Sequence, residues 1–222
     1  MAGPRRYQLL CPIARALDRV GDRWTLLILR DLHAGPARYS DLLSGLEGIA
    51  SNLLTTRLQQ LTADGLVRRR EADYGVTLYE LTELGARSGT LLFELARFGR
   101  RFPPDEETRP PGNLRNIAVT LQTACQRVVT PDDEVTAGLV VDGQPFTLSV
   151  RDGAVDVHVG APGAPDVVLL TALEPMMAIA DGAITLEEYR AEHVTLTADD
   201  PARGARLMSL LARAMALLTS DR

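Results

Sequence analysis

The stretch Pro103-Pro104-Asp105-Glu106-Glu107-Thr108-Arg109-Pro110-Pro111-Gly112 constrains this chain more than any other part of it. Its prolines remove backbone donors and fix φ, and the polar residues between them offer no apolar face. Neither a helix nor a strand can run through it. It reads as a semi-rigid linker, 103–112, between a first domain, 1–102, and a second, 113–222. Charge divides at the same place. Residues 1–102 hold 15 Arg against 11 Asp and Glu, a net +4, whereas residues 103–222 hold 9 Arg against 18 acids, a net −9. The overall charge of −5 hides this contrast. A basic half joined to an acidic one points to nucleic acid as a partner of the first only.

Several classes of function fall away early. No uninterrupted apolar run reaches membrane-spanning length. The basic start, Met1 to Arg6, is followed by Arg15, Asp18 and Arg19 rather than by the clean apolar stretch of a secretory signal, so a cytoplasmic protein is expected. Cys11 and Cys125 are too few for a disulfide framework and match no zinc spacing. His33, His158 and His193 are scattered, so no metal or cofactor is expected. There is no nucleophile elbow, phosphate-cradling glycine loop or dinucleotide fingerprint. Asp152, Asp156 and His158 are close in sequence, but alternation puts Asp156 and His158 on a wet sheet face. An enzyme is not expected.

Before the linker the pattern is mainly helical. Ile13, Leu17 and Val20 share a face of a short first helix. A second begins near Asp22 with Trp24, Leu27, Ile28 and Leu32 inward, and His33-Ala34-Gly35-Pro36 stops it. Ser40 caps a brief third helix containing Leu42 and Leu43. Ser51 caps a fourth that runs to about Ala63 and is closed by Gly65. On it Leu54, Leu58 and Leu61 form one stripe, while Asn52, Thr56 and Gln59 occupy the opposite side, with Thr55 and Gln60 at its edges. Leu66–Glu71 and Val76–Leu81 make a hairpin about Asp73-Tyr74-Gly75, with Arg68, Arg69 and Arg70 on its first strand. Thr82 caps a last helix, 82–101, whose Leu84, Leu91, Leu95 and Phe98 form an apolar seam.

A short helix, a tight turn, a longer helix and then a basic hairpin is the order of a winged helix-turn-helix. In such a domain the second helix of the pair, here 51–63, enters the major groove with its N-terminal residues nearest the base edges. Asn and Gln suit adenine there, and Thr methyls suit the thymine methyl. Ser51, Asn52, Thr55, Thr56 and Gln59 are therefore candidate contacts, with Arg57 at the flank for phosphate and Arg38 a further candidate DNA-binding residue. Arg68, Arg69 and Arg70 would follow the backbone, with a minor groove as a further place for them, supplying affinity rather than sequence reading. A polar helix face is also what any solvated helix shows, and hairpin arginines often form surface ion pairs; the conjunction in the right order is what favours DNA. Reading two half-sites needs a dimer. The seam of Leu84, Leu91, Leu95 and Phe98 is a candidate dimer face, the other reading being packing onto its own domain.

The stretch Cys11-Pro12, Gly21-Asp22-Arg23-Trp24, Leu29-Arg30, Gly35-Pro36, Arg38-Tyr39-Ser40-Asp41, Leu53-Leu54-Thr55-Thr56-Arg57-Leu58, Asp64-Gly65-Leu66-Val67 and Tyr79-Glu80-Leu81-Thr82-Glu83-Leu84-Gly85 closely resembles the HxlR family of bacterial regulators, over residues 10–101. The resemblance implies a winged-helix fold, a homodimer through the terminal helices, and promoter binding. Tyr39, where the family often has Phe, and Asn52, where it often has Lys, depart from the pattern, and the second bears on sequence preference. Cys11 corresponds to the family's N-terminal cysteine, which in some members senses thiol-reactive compounds. Arg15 one turn on, and a helix N-terminus, would lower a thiol pKa there. The other reading of Cys11 is a small buried hydrophobe. Cys125 shares a face with Leu121 and Val128 and is expected in a core.

After the linker, Asn113 opens a helix with Leu114, Ile117, Leu121, Ala124 and Val128 inward. Strands are expected at Val135–Val141, Gln144–Val150, Ala154–Val159 and Asp166–Thr171, separated by Asp142-Gly143, Asp152-Gly153 and a Gly/Pro loop. Helices at 172–180 and 185–192, a strand at Val194–Thr197 and a helix from Pro201 complete an α+β domain. This order resembles the sterol-carrier-protein-like fold over 113–218, most clearly at Asp166–Thr171, Asp181-Gly182-Ala183-Ile184 and Val194–Thr197. That resemblance implies a pocket for a nonpolar small molecule, with Phe146, Leu173, Met176, Met177 and Ile179 as candidate walls. A closed core without ligand is the alternative. The leading expectation is a homodimeric DNA-binding repressor whose second domain senses a nonpolar effector. The alternatives are a regulator switched through Cys11 with a purely structural second domain, or a lipid or small-molecule carrier.

Overall fold

The computed structural model describes residues 7–102, 104–105 and 107–220. The basic start Met1–Arg6, and Pro103 and Glu106 of the expected linker, lie outside the described residues. The chain forms two compact units. One holds the residues through Ser88 together with Pro111–Asn113, and the other holds Gly89–Pro110 and everything from Leu114 onward. The last helix of the expected first domain is thus grouped with the second unit, and the end of the expected linker with the first.

In the first unit α1 (Pro12–Val20) starts with proline at its first turn, where a missing N–H costs nothing. The apolar face shared by Ile13 and Leu17 is exposed at both, and among the residues of α1 Ala14 alone is buried. α2 (Thr25–Leu32) buries Ile28, Leu29 and Leu32, and β1 (Ala37–Arg38) leads into α3 (Tyr39–Gly45). α4 (Ser51–Ala63) buries Leu54, Leu58 and Leu61, the expected stripe. The cap is Ala50, not Ser51, which is already the first helical residue. At the other end Leu66 N–H reaches the Leu61 carbonyl at 2.9 Å and Gly65 N–H the Thr62 carbonyl at 3.1 Å. This is a Schellman ending, and it needs the left-handed φ of +71° that Gly65 supplies.

β2 (Val67–Ala72) and β3 (Val76–Leu81) form the hairpin, and β1 pairs on the far side of β3, giving the order β1-β3-β2. The last expected helix is broken in two: α5 (Glu83–Ala86), capped by Thr82 Oγ1 accepting from Gly85 N–H at 3.0 Å, and α6 (Ser88–Gly99). Asn113 does not open a helix. It donates through Nδ2 to Asp31 Oδ2 at 2.8 Å, while Arg30 Nε donates to Asp31 Oδ1 at 2.8 Å, so a buried carboxylate is satisfied from two sides. The approach is close: a Cβ on Gly45 would lie 1.6 Å from Asn113 Nδ2.

The second unit contains α7 (Asn116–Val128), β4 (Val135–Val141), β5 (Gln144–Arg151), β6 (Ala154–Val159), β7 (Val167–Thr171), α8 (Leu173–Asp181), α9 (Leu186–Glu192), β8 (Thr195–Ala198) and α10 (Pro201–Thr219). Its sheet runs β6-β5-β4-β7-β8, with β4 and β7 parallel and the other pairs antiparallel. Ala137, Leu148, Val157 and Val167 are in register on one buried face, and α7 and α10 pack against each other over the sheet. The free edge of β6 is blunted by α7: Gln126 Oε1 accepts from Val155 N–H at 2.8 Å and Gln122 Oε1 from Val157 N–H at 3.2 Å. Arg97 and Arg100 of the α6 segment donate to the carbonyls of Ser220 and Leu218 at 2.7 and 2.8 Å, meeting the negative end of α10 with positive charge.

Candidate nucleic-acid interface

The α4 face opposite Leu54, Leu58 and Leu61 carries Ser51, Asn52, Thr55, Thr56 and Gln59, all exposed. The structure brings these five expected residues together on one surface. The Thr55 and Thr56 hydroxyls donate back to the carbonyls of Ser51 and Asn52 at 3.0 and 2.9 Å. Their hydroxyl protons are spent on the helix, so what they offer a base edge is the methyl group and an accepting oxygen, not a donor. Tyr39 Oη donates to the Ser51 carbonyl at 2.7 Å and so ties the first turn of α4 to the start of α3. Sequence reasoning missed this role of Tyr39, because only the fold brings it to α4.

Arg57, expected to reach a phosphate, is held inside its own unit. Its Nη2 pairs with Asp22 Oδ2 at 2.5 Å and its Nη1 donates to Gln60 Oε1 at 2.7 Å, and the side chain is half-buried. Helical spacing places Arg57 on the flank but says nothing of a carboxylate waiting there. Arg57 therefore secures α4 to the segment before α2. Arg38 is exposed, and its backbone N–H donates to Asp41 Oδ2 at 3.0 Å at the start of α3.

On the hairpin Arg68, Arg69 and Arg70 are all exposed. Arg68 and Arg70 converge on Glu80, with Nε to carboxylate distances of 2.7 and 3.0 Å, and the Arg69 guanidinium lies 5.9 Å from the centre of the Tyr79 ring. Burial pushes the Glu80 carboxyl up, yet the two guanidiniums outweigh it and hold the group below the usual carboxylate range. Glu80 is a second residue that sequence reasoning passed over, although its place opposite Arg68 follows from hairpin pairing.

The seam residues Leu84, Leu91, Leu95 and Phe98 are exposed, as is Phe102, whose ring meets that of Phe98 edge-on at 5.2 Å. The side of α6 that is buried is that of Leu92 and Phe93, with the Arg127 guanidinium 4.4 Å from the Phe93 ring centre. Cys11 is exposed at the N-cap of α1. Cys125 is buried, and burial pushes its thiol up to about 12, so it is inert as a nucleophile.

The candidate pocket walls do not share one setting. Phe146, Leu173 and Ile179 are buried, Met176 is half-buried and Met177 is exposed. A cleft of about 620 Å³ lies in the first unit, lined by Leu17, Asp18, Asp22, Arg57, Gln60 and Asp64 among others. Among the described residues no group of three or more His, Cys, Asp or Glu side chains could hold a metal ion, and no helix is long and apolar enough to cross a membrane.

Comparison with known proteins places these features. The family model of the HxlR-like helix-turn-helix matches residues 19–107. The chain is 36% identical over 90 residues to the uncharacterized HTH-type transcriptional regulator YtfH of Escherichia coli, covering 39% of this chain and 70% of that protein. It is 38% identical over 106 residues to the regulator Mb3122 of Mycobacterium bovis, covering 47% of this chain and 66% of the relative. With the regulator sll1512 of Synechocystis the identity is 38% over 60 residues, 27% of this chain and 44% of the relative. The chain thus spans less than two thirds of the length of the latter two relatives.

Proposed function

Because this chain belongs to the HxlR-like helix-turn-helix family, we propose that it is a sequence-specific DNA-binding transcription regulator, a repressor acting as a homodimer. One observation carries the reading: five exposed, uncharged hydrogen-bonding or methyl-bearing side chains, Ser51, Asn52, Thr55, Thr56 and Gln59, cover the free face of α4 beside a hairpin with three exposed arginines. In this reading α4 lies in the major groove, where Asn52 and Gln59 bond adenine edges and the threonine methyls meet thymine. Arg38, Arg68, Arg69 and Arg70 meet phosphates. The exposed apolar faces of α1, at Ile13 and Leu17, and of α6, at Leu91, Leu95 and Phe98, support a homodimer that buries them.

The second unit is assigned to effector sensing. Its strand order β6-β5-β4-β7-β8, with helices packed over one sheet face, supports the likeness to the sterol-carrier-protein-like fold and hence a nonpolar small-molecule ligand. Such a ligand changes DNA affinity only if it distinguishes two states of the dimer. A second reading, a thiol switch, is favoured by the exposure of Cys11 at a helix N-terminus. Retention of the response to inducer in Cys11→Ser would eliminate it.

The test is a gel shift of the full chain on the DNA flanking its own gene, against scrambled DNA, across a salt series. A specific shift that resists competitor and steps as a dimer is expected. Binding that has no sequence preference and vanishes at modest salt would leave only generic attraction by the arginines. Absence of binding at any salt would favour the carrier reading of the second unit.

A further inference from the structure

We propose that Tyr74, at the tip of the β2–β3 hairpin, is itself a DNA contact, inserting into the minor groove next to the major-groove site of α4. This rests on the reading of α4 as the helix that enters the major groove.

Tyr74 stands at φ 61° and ψ 27°, in the left-handed region, and Gly75 follows at φ 70°. Two successive left-handed residues favour Asn-Gly or Asp-Gly, because a bulky side chain at positive φ is strained. The tyrosine gets nothing back from packing: its side chain is fully exposed. It makes no hydrogen bond or ring contact with any described residue. A position chosen for folding alone would hold Asn or Gly. Strain kept in place without a packing return is a mark of a residue retained for contact with something else.

The reach and the chemistry both point to the minor groove. β2 leaves the end of α4 and runs for six residues, a length of roughly 20 Å at about 3.3 Å per residue. Half a turn of B-DNA, the spacing from a major-groove centre to the next minor-groove centre, is about 17 Å. Arg68, Arg69 and Arg70 lie along that arm, where it would cross the intervening phosphates. At the tip, a flat ring can enter edge-on a groove only about 6 Å wide, and the phenol O–H can donate to adenine N3 or thymine O2 on its floor. Guanine places an amino group on the same floor, so the contact favours A·T pairs.

The experiment uses the full chain and the fragment of its own upstream DNA that gives a specific shift, with binding read by fluorescence anisotropy, minor-groove protection by hydroxyl-radical footprinting, and folding by thermal melting. Tyr74→Gly is expected to weaken binding about tenfold and to lose protection of the minor groove half a turn from the α4 site, while its melting temperature stays level or rises. Tyr74→Phe is expected to lose the A·T preference at that tract. For the wild type, G·C pairs placed there should weaken binding and inosine·cytosine pairs, which lack the guanine amino group, should restore it. If wild type binds specifically and Tyr74→Gly binds equally well, this proposal fails and the reading of α4 stands. A lower melting temperature in Tyr74→Gly overturns it too, since Tyr74 would then be holding the hairpin. If wild type binds no fragment specifically, the reading of α4 fails and takes this proposal with it.

Discussion

Glu80→Gln should turn the hairpin into a stronger and less discriminating DNA binder. The carboxylate of Glu80 holds Arg68 Nε at 2.7 Å and Arg70 Nε at 3.0 Å, with the two arginine side chains 67% and 48% exposed. Ion pairs that open to solvent contribute well under 1 kcal/mol each, so the substitution should cost less than about 1 kcal/mol of stability and lower the melting temperature by only a few degrees. Its effect on DNA is larger. Removing the carboxylate leaves two guanidiniums, which otherwise divide their charge between Glu80 and the phosphates, to neutralise phosphate alone, and each phosphate so neutralised steepens the slope of log affinity against log salt by up to about 0.9. The slope should therefore steepen by up to about 1.8, and the gain in affinity at 50 mM salt should shrink roughly tenfold by 200 mM. Because phosphate contacts read no sequence, the ratio of specific to nonspecific binding should fall. Anisotropy titrations at four or five salt concentrations, on specific and scrambled duplexes, measure all three quantities. Unchanged affinity together with an unchanged slope would refute the reasoning by placing the hairpin arginines away from DNA.

Three further outcomes are expected. His33 is largely buried with Nε2 3.0 Å from Ser88 Oγ, and burial lowers its pKa from 6.5 to about 4. The unfolded chain then takes up a proton first as pH falls, so stability should be full above pH 6.5 and drop between 6.5 and 4, by at most about 3 kcal/mol. Chemical denaturation across that range, with His33→Gln flattening the dependence, checks it; an equally steep fall in the variant would point to other groups. Gly45→Ala puts a methyl group on top of Asn113 Nδ2 and should release the Asn113–Asp31 bond, leaving a buried carboxylate short of a donor at a cost of roughly 1–3 kcal/mol. Asn113→Ala should cost a similar amount, and a double variant little more than either single one, as a thermodynamic cycle would show. Finally, Leu95→Arg with Phe98→Arg, both at exposed positions, should leave the melting of the single chain almost unchanged while abolishing a dimer in sedimentation velocity; a dimer that persists would place the interface elsewhere.

What was legible in the sequence was the part fixed by local chemistry. The strands Val135–Val141 and Ala154–Val159 emerge where alternation expects them. The Asp142-Gly143 and Asp152-Gly153 turns adopt the paired positive φ values, 47° with 81° and 51° with 72°, that such dipeptides favour. The Leu54, Leu58 and Leu61 stripe and the exposed face opposite it were likewise readable. Periodicity shows that a face is apolar, but not what covers it. Ile13 and Leu17 share a face that is exposed, and on α6 the chain itself buries Leu92 and Phe93 rather than the seam residues. Contacts distant in sequence were also hidden. The pairing of Arg57 with Asp22 and the return of Asn113 to Asp31 depend on packing that no local pattern encodes. The Ser51 cap was missed by one residue, since a serine in the first helical position and a serine at the cap look alike in sequence.

The central claim is that α4 reads base edges. The measurement that tests it most directly is the ratio of specific to scrambled-DNA affinity for wild type against Asn52→Ala with Gln59→Ala, at fixed salt on one upstream fragment. Both residues are exposed, so the fold should be unaffected. The account requires the ratio to collapse by about tenfold or more, with affinity for scrambled DNA and the salt slope unchanged. A ratio that survives the double substitution would contradict it.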